Sequence, residues 1–218
     1  MLIESCIHSI KPYKLDIKTI VDIGTRDLEQ SIEFHSVYPK AQIYAIEANN
    51  ESYKECVKIK PKYVKLFNFA ALDYNGETSF YNVKQTDNKG ASSIFEPTER
   101  VVGVDLFNGL EKTVAPAKRI DTWAKENNIK TIDLAWVDVQ GSELQTFKGF
   151  GELLKDIKIV ATEVATGSLY YPNKKYTPTN YRQLKEFMKK NNFQEVHYDQ
   201  PWPLEADIVY VNKKYITI

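Results

Sequence analysis

"VDIGTRDLEQS", residues 21–31, decides how this chain is read. An apolar, β-branched run (Ile20, Val21, Ile23) surrounds the acid Asp22 and ends on Gly24, the pattern of a buried strand that turns into a helix. A dinucleotide-binding fingerprint would place two more glycines within the next few residues. Thr25, Arg26, Asp27 and Leu28 stand there instead. The ligand of this turn therefore accepts a carboxylate at the lip of the strand and only one glycine after it.

Outward from this turn the chain alternates strand and helix. Ile3, Ile7 and Ile10 predict a short helix over 2–11, part of a helical extension spanning 1–16. "IKTIVDIG" (17–24) is the first strand, "LEQSIEFHSVY" a helix stopped by Pro39, and "AQIYAIEA" (41–48) a second strand ending in Glu47. Asn50 is the expected N-cap of the next helix, with Tyr53, Cys56 and Val57 on one face, and "YVKLFNFAAL" (63–72) is the third strand. This β-α-β-α-β order predicts a parallel sheet with helices on its faces.

The pattern changes after Leu72. "DYNG" is turn chemistry, "ETSFYNV" alternates like an exposed strand, 84–93 reads as a polar loop, and a further strand covers about 112–119. Together, about 74–119 is expected to be a β-ribbon and loop inserted in a single domain of residues 1–218. Asp121 is the expected cap of the helix "TWAKEN", and "TIDLAWVDV" (131–139) the next core strand. A helix follows with Ser142 and Gln145 at capping-box spacing, then the strand "KIVATEV" (158–164). Thr177-Pro178 should open a last helix with the stripe Tyr181, Leu184, Phe187 and Met188. "FQEVHYD" and "ADIVYVN" are too close for a helical crossover and are expected as an antiparallel pair at the sheet edge.

Composition excludes several classes. Basic and acidic side chains balance at 29 each, which argues against nucleic acid as the main partner, since phosphate binding needs a net basic face. Cys6 and Cys56 lack metal-ligand spacing and read as inert thiols of a reducing compartment. No stretch approaches the ~18 apolar residues of a membrane helix, and the N-terminus lacks the pattern of a signal peptide. The expectation is a cytoplasmic protein with no membrane partner.

The carboxyl ends of the parallel strands, where such sheets bind ligands, carry Asp22, Glu47, Asp138 and Glu163. A pyrophosphate would face Asp22 uncompensated. A ligand with an amine and a sulfonium would be attracted, and S-adenosylmethionine has both, together with a ribose diol. Glu47 lies at the ~20-residue distance expected of a ribose-binding acid. The one glycine fits a methionyl group that approaches the backbone less closely than a diphosphate does.

The blocks "VDIGTRD", "YAIEAN", "FNFAALDYNGETSF", "ASSIF", "RIDTW", "IDLAWVDVQGSELQTFKGF" and "IVATEV" occur in this order over about residues 20–165. In them the chain resembles the FkbM family of S-adenosylmethionine-dependent methyltransferases. The resemblance implies an α/β, Rossmann-like class I methyltransferase fold: a mainly parallel seven-stranded sheet with an antiparallel last strand, here carrying the small β insertion. It also implies O-methylation of a hydroxyl on a sugar or other small molecule. Asp22 and Gly24 would line the methionyl end, Glu47 the ribose, Ala71 and Ser92 the adenine, and Asp138 the reacting methyl group. Thr25, Arg26 and Ala48 complete the expected cofactor-binding set. Leu28 departs from the family, which commonly has a second glycine there.

An alcohol must lose its proton on methylation, so a carboxylate within reach of the acceptor oxygen is expected. Asp138 and Glu163 are the candidates and Glu143 the third, although an acid in a helix's first turn also serves the macrodipole. The pair could alternatively hold a divalent ion on the substrate oxygen. His8, His35 and His197 read as structural. The tyrosines of "GSLYYPNKKYTPTNY" (167–181) would stack on a flat substrate or serve as cap and interface residues. Two other readings of the same sheet are a nicotinamide-dependent oxidoreductase and a non-catalytic binding module.

Overall fold

A computed structural model describes residues 3–83, 89–98 and 110–216. Parts of the loop expected at 84–93 and of the insertion lie outside the described residues. Helix α1 (Ile3–Ile10) leads into β1 (Thr19–Ile23), α2 (Glu29–Val37), β2 (Gln42–Glu47), α3 (Asn50–Ile59) and β3 (Val64–Asn68). After the insertion come α4 (Ile120–Glu126), β7 (Leu134–Val137), α5 (Glu143–Gly149), β8 (Ile159–Ala165) and α6 (Tyr181–Lys190). The chain closes with β9 (Phe193–Trp202) and β10 (Glu205–Asn212).

The main sheet has the order β3-β2-β1-β7-β8-β10-β9. Every neighbouring pair up to β8 is parallel, and β10 runs antiparallel to both β8 and β9. This is the class I methyltransferase sheet. Strand order reverses between β1 and β7, the switch point at which a crevice opens beyond the strand ends. Period-2 alternation sorts the side chains between two layers. Val21 and Ile23 pack with Trp123, Phe147, Phe150 and Leu184 under α4, α5 and α6. Ile20, Ile43 and Trp136 pack with Cys6, Leu28 and Phe34 under α1 and α2. Both faces are covered, so the central strands are apolar on both sides.

Between residues 68 and 70 the chain leaves this sheet. β4 (Ala70–Ala71) pairs in parallel with β6 (Leu110–Lys118), which pairs antiparallel with β5 (Gly76–Val83). The resulting small sheet, order β4-β6-β5, stands over the end of the main one.

Helix starts depart from the sequence expectations. The N-cap of α3 is Asn49, whose side chain accepts from the backbone N–H of Glu51 (2.9 Å) and Ser52 (3.3 Å), and Val57 faces solvent. Asp121 lies inside the first turn of α4 and pairs with Arg119, the actual N-cap residue. Ser142 makes no side-chain cap; its hydroxyl donates to Val139 O, while Thr179 Oγ1 accepts from Leu144 N at 3.0 Å. Helix α6 begins at Tyr181, not at Pro178, because Asn180 and Gln183 form the complete capping box. Leu184 and Met188 of its stripe are buried.

Candidate active site

The first turn is built by main chain. Gly24 has φ +83°, and a Cβ there would lie 1.7 Å from the carbonyl oxygen of Asp138. The neighbouring strand therefore requires this glycine, where the sequence had pointed to the ligand. Leu28, the departure from the family pattern, also has a left-handed backbone (φ 69°) and is fully buried under the sheet. Burial of its side chain offsets a conformation that costs about 1–3 kcal/mol.

Strand parity turns Asp22 away from the crevice, toward α2. Its Oδ2 accepts from the hydroxyls of Thr25 and Ser31, each at 2.6 Å, and burial pushes its pKa up to about 6. Asp22 and Thr25 build the turn and do not line the crevice.

The crevice is a cavity of about 730 Å³, within the range of small-molecule sites. Gly24, Arg26, Glu47, Ala48, Ala71, Ser92, Asp138 and Glu163 of the expected set all line it. Glu47 is buried and accepts at 2.7 Å from Arg26 N through one oxygen and from Asn49 N through the other. Burial pushes its pKa up to about 7. Ile46, Phe69, Ala70 and Ala71 give an apolar slot beside it.

Across the switch point, Asp138 and Glu163 share one amide. Gln140 Nε2 donates to Asp138 Oδ1 (2.7 Å) and Glu163 Oε1 (3.2 Å). Gln140 itself has φ 53°, and its Oε1 accepts from the Tyr170 hydroxyl at 2.6 Å. Ser93 Oγ donates to its carbonyl at 2.6 Å. Burial, and then the charge of Asp138, push Glu163 up to about 9; burial also raises Asp138. Nothing in the sequence singled out Gln140 beyond its place between a strand end and a glycine.

Glu143 sits off the cavity. Its Oε1 accepts from Gly141 N at 2.8 Å, Oε2 has no hydrogen-bond partner, and burial pushes the carboxyl up to about 8. None of the tyrosines at 170, 171, 176 and 181 lines the cavity either. Tyr176 donates to Asp73 and Tyr181 to Glu195. The cavity is lined instead by Leu169 and, at its β10 end, by Trp202, Pro203, Leu204 and Glu205. The three histidines also lie elsewhere; His35 stacks on Tyr63. Among the described residues no group of three His, Cys, Asp or Glu side chains is placed to hold a metal ion.

These features define a class: a switch-point cavity with a buried acid at one end, apolar residues beside it and paired carboxyls further along, on this sheet, is a class I methyltransferase site. Residues 22–198 match the model of the methyltransferase FkbM domain, and the chain belongs to this family. Its cofactor is S-adenosylmethionine, and the residues present fit it: the buried carboxyl of Glu47 and the apolar side chains of Ile46, Phe69, Ala70 and Ala71 line one cavity. The chain is similar to the 2-O-methyltransferase NoeI of Sinorhizobium fredii (strain NBRC 101917 / NGR234). The two are 28% identical over 159 residues, 69% of this chain and 65% of that protein. The match thus spans just under two thirds of that relative's length. Among solved structures, the Methanococcus jannaschii fibrillarin pre-rRNA processing protein aligns with TM-score 0.52 at 13% identity, covering 93% of this chain and 69% of that one. A chain of the fibrillarin/Nop5p complex aligns with TM-score 0.51 at 11% identity, covering 96% of this chain and 81% of that one. At these identities the likeness is one of fold. No helix among the described residues is long and apolar enough to cross a membrane.

Proposed function

We propose that this chain is an O-methyltransferase that uses S-adenosylmethionine to methylate a hydroxyl of a saccharide or similar small molecule. The observation that carries the reading is the Asp138–Glu163 pair, joined by Gln140 and facing the cavity next to the cofactor turn. The similarity to a 2-O-methyltransferase supports oxygen as the acceptor atom.

Bound S-adenosylmethionine supplies an electrophilic methyl group on a sulfonium. The chain's part is to hold the acceptor oxygen behind that methyl, in line with the carbon–sulfur bond, which is the largest contribution available to such a displacement. Asp138 would take up the proton that the acceptor hydroxyl gives up on methylation. Burial, and then the charge of Asp138 beside it, favour the protonated form of Glu163, which leaves Asp138 as the proton acceptor of the pair. Gln140 holds the two carboxyls at a fixed separation. Arg26 and Glu47 flank the cofactor end.

The test combines calorimetric titration of S-adenosylhomocysteine with transfer of a labelled methyl group to a panel of saccharides and hydroxylated small molecules. Asp138→Asn is expected to slow transfer by ~100-fold or more, the usual range for a general base. Affinity for S-adenosylhomocysteine should stay within a few-fold. A wild-type rate in that variant removes the base role, and a protein that binds the cofactor product but methylates no oxygen acceptor is a binding module.

A further inference from the structure

The turn joining β9 to β10 reads Pro201-Trp202-Pro203-Leu204-Glu205, and four of these residues, from Trp202 onward, line the cavity at its β10 end. Trp202 is 63% exposed, whereas the other two tryptophans, Trp123 and Trp136, are 1% and 3% exposed. The backbone that carries the indole is held in place. Prolines on both sides restrict φ. Gln200 Nε2 donates to Pro203 O (3.0 Å) and Thr166 Oγ1 (3.1 Å), and Thr166 N donates to Leu204 O at 2.7 Å. The absence of a side chain at Gly167 lets the segment after β8 approach this tip; a Cβ there would lie 2.6 Å from Leu204 Cδ2. The tip is thus fastened to the strand that carries Glu163.

An aromatic face held at the mouth of a cavity, with carboxyl oxygens beside it, matches a ring that is apolar on one face and hydroxylated at its edge. A pyranose has that surface: axial C–H bonds on a face, hydroxyl donors around the rim. We propose that the β9–β10 tip is the acceptor subsite and that it takes a neutral saccharide ring stacked on Trp202, with rim hydroxyls donating to Glu205 and one hydroxyl directed at Asp138. Anionic sugars are disfavoured, because the carboxyls of Asp138 and Glu205 face the same volume. This inference rests on the O-methyltransferase reading above and adds the place of the acceptor subsite and the residue that selects an uncharged ring.

Since the other tryptophans are buried, acrylamide quenching of intrinsic fluorescence reads Trp202. With S-adenosylhomocysteine bound, neutral methyl hexopyranosides are expected to protect the wild-type protein from quenching. Trp202→Ala should raise the acceptor KM about tenfold, the loss of one aromatic contact, with kcat much less affected. Trp202→Phe should recover most of it, and affinity for S-adenosylhomocysteine should be unchanged in both. Trp202 is exposed, so neither variant threatens the fold. Binding of S-adenosylhomocysteine without protection by any hexopyranoside, or a wild-type KM in Trp202→Ala, overturns the subsite while leaving the methyltransferase reading intact. Protection by a phenol but by no hexopyranoside overturns the saccharide class. Failure of S-adenosylhomocysteine to bind the wild-type protein overturns the functional reading and the subsite with it.

Discussion

Glu47 shows how much a single residue holds. Its two oxygens each accept a backbone N–H at 2.7 Å, from Arg26 in the first turn and from Asn49 at the start of α3. The carboxyl therefore fixes two loops and also offers lone pairs to the cavity. Glu47→Gln keeps the shape but turns one acceptor into a donor facing an N–H. Loss of a charge-assisted hydrogen bond costs ~1.5–3 kcal/mol, so affinity for S-adenosylhomocysteine should fall by at least about tenfold. Calorimetric titration measures it, and unchanged affinity would take Glu47 out of the ribose site. The place of Glu47 on the cavity was legible in the sequence because it ends a parallel strand beside the switch point. The place of Asp22 was not: whether an acid at the end of a strand faces the crevice or the helix layer depends on pleat parity, and one residue of register reverses it.

Among the elements, strands were easier to read than helix starts. Apolar runs such as "TIVDI" and "LAWV" need burial on both faces and have one plausible arrangement. Caps compete over one or two positions, and tertiary contacts decide. Thr179 reaches across to cap α5, which displaces Ser142, and Asn180 caps α6, which displaces Thr177. Asn180→Ala removes an acceptor from Gln183 N (3.0 Å) and should lower stability by about 1 kcal/mol. Urea denaturation with an unchanged slope checks this; an unshifted midpoint would show that the box contributes nothing. The β9–β10 pair was legible because its two runs are separated by too few residues for a crossover. The service of its tip as a cavity wall was not, since that depends on β10 lying between β8 and β9.

For the molecule as a whole, buried carboxyl groups set the response to pH. Asp22, Glu47 and Glu143 have pKa values raised to about 6, about 7 and about 8, each chiefly by desolvation. The folded state thus holds protons that the unfolded chain releases near pH 4 to 4.5. Stability from these groups is fully present below the unfolded values and is lost as pH rises through the folded ones. The Arg119–Asp121 pair lowers the pKa of Asp121, so its contribution is lost only in acid, below this window. Ligand-free protein should therefore melt at lower temperature at pH 8.5 than at pH 5.5. Each 1 kcal/mol lost shifts Tm by ~2–4 °C in a chain of this size. Glu143→Gln should flatten the upper part of the trend, and a Tm that rises over the interval would contradict the burial of these charges.

At the centre of the sheet, Gly24 abuts the carbonyl of Asp138, and Asp138 N donates to Ile23 O at 2.9 Å. No side chain lies between the cofactor turn and the strand that bears the proposed base. This joint has no adjustable part. Every other contact in the cavity can be retuned by exchanging one side chain for another, but the gap between these two backbones is set by atoms that all residues share. Adaptation to new acceptors is thereby confined to the ends of the cavity, while the distance over which a methyl group has to travel stays constant.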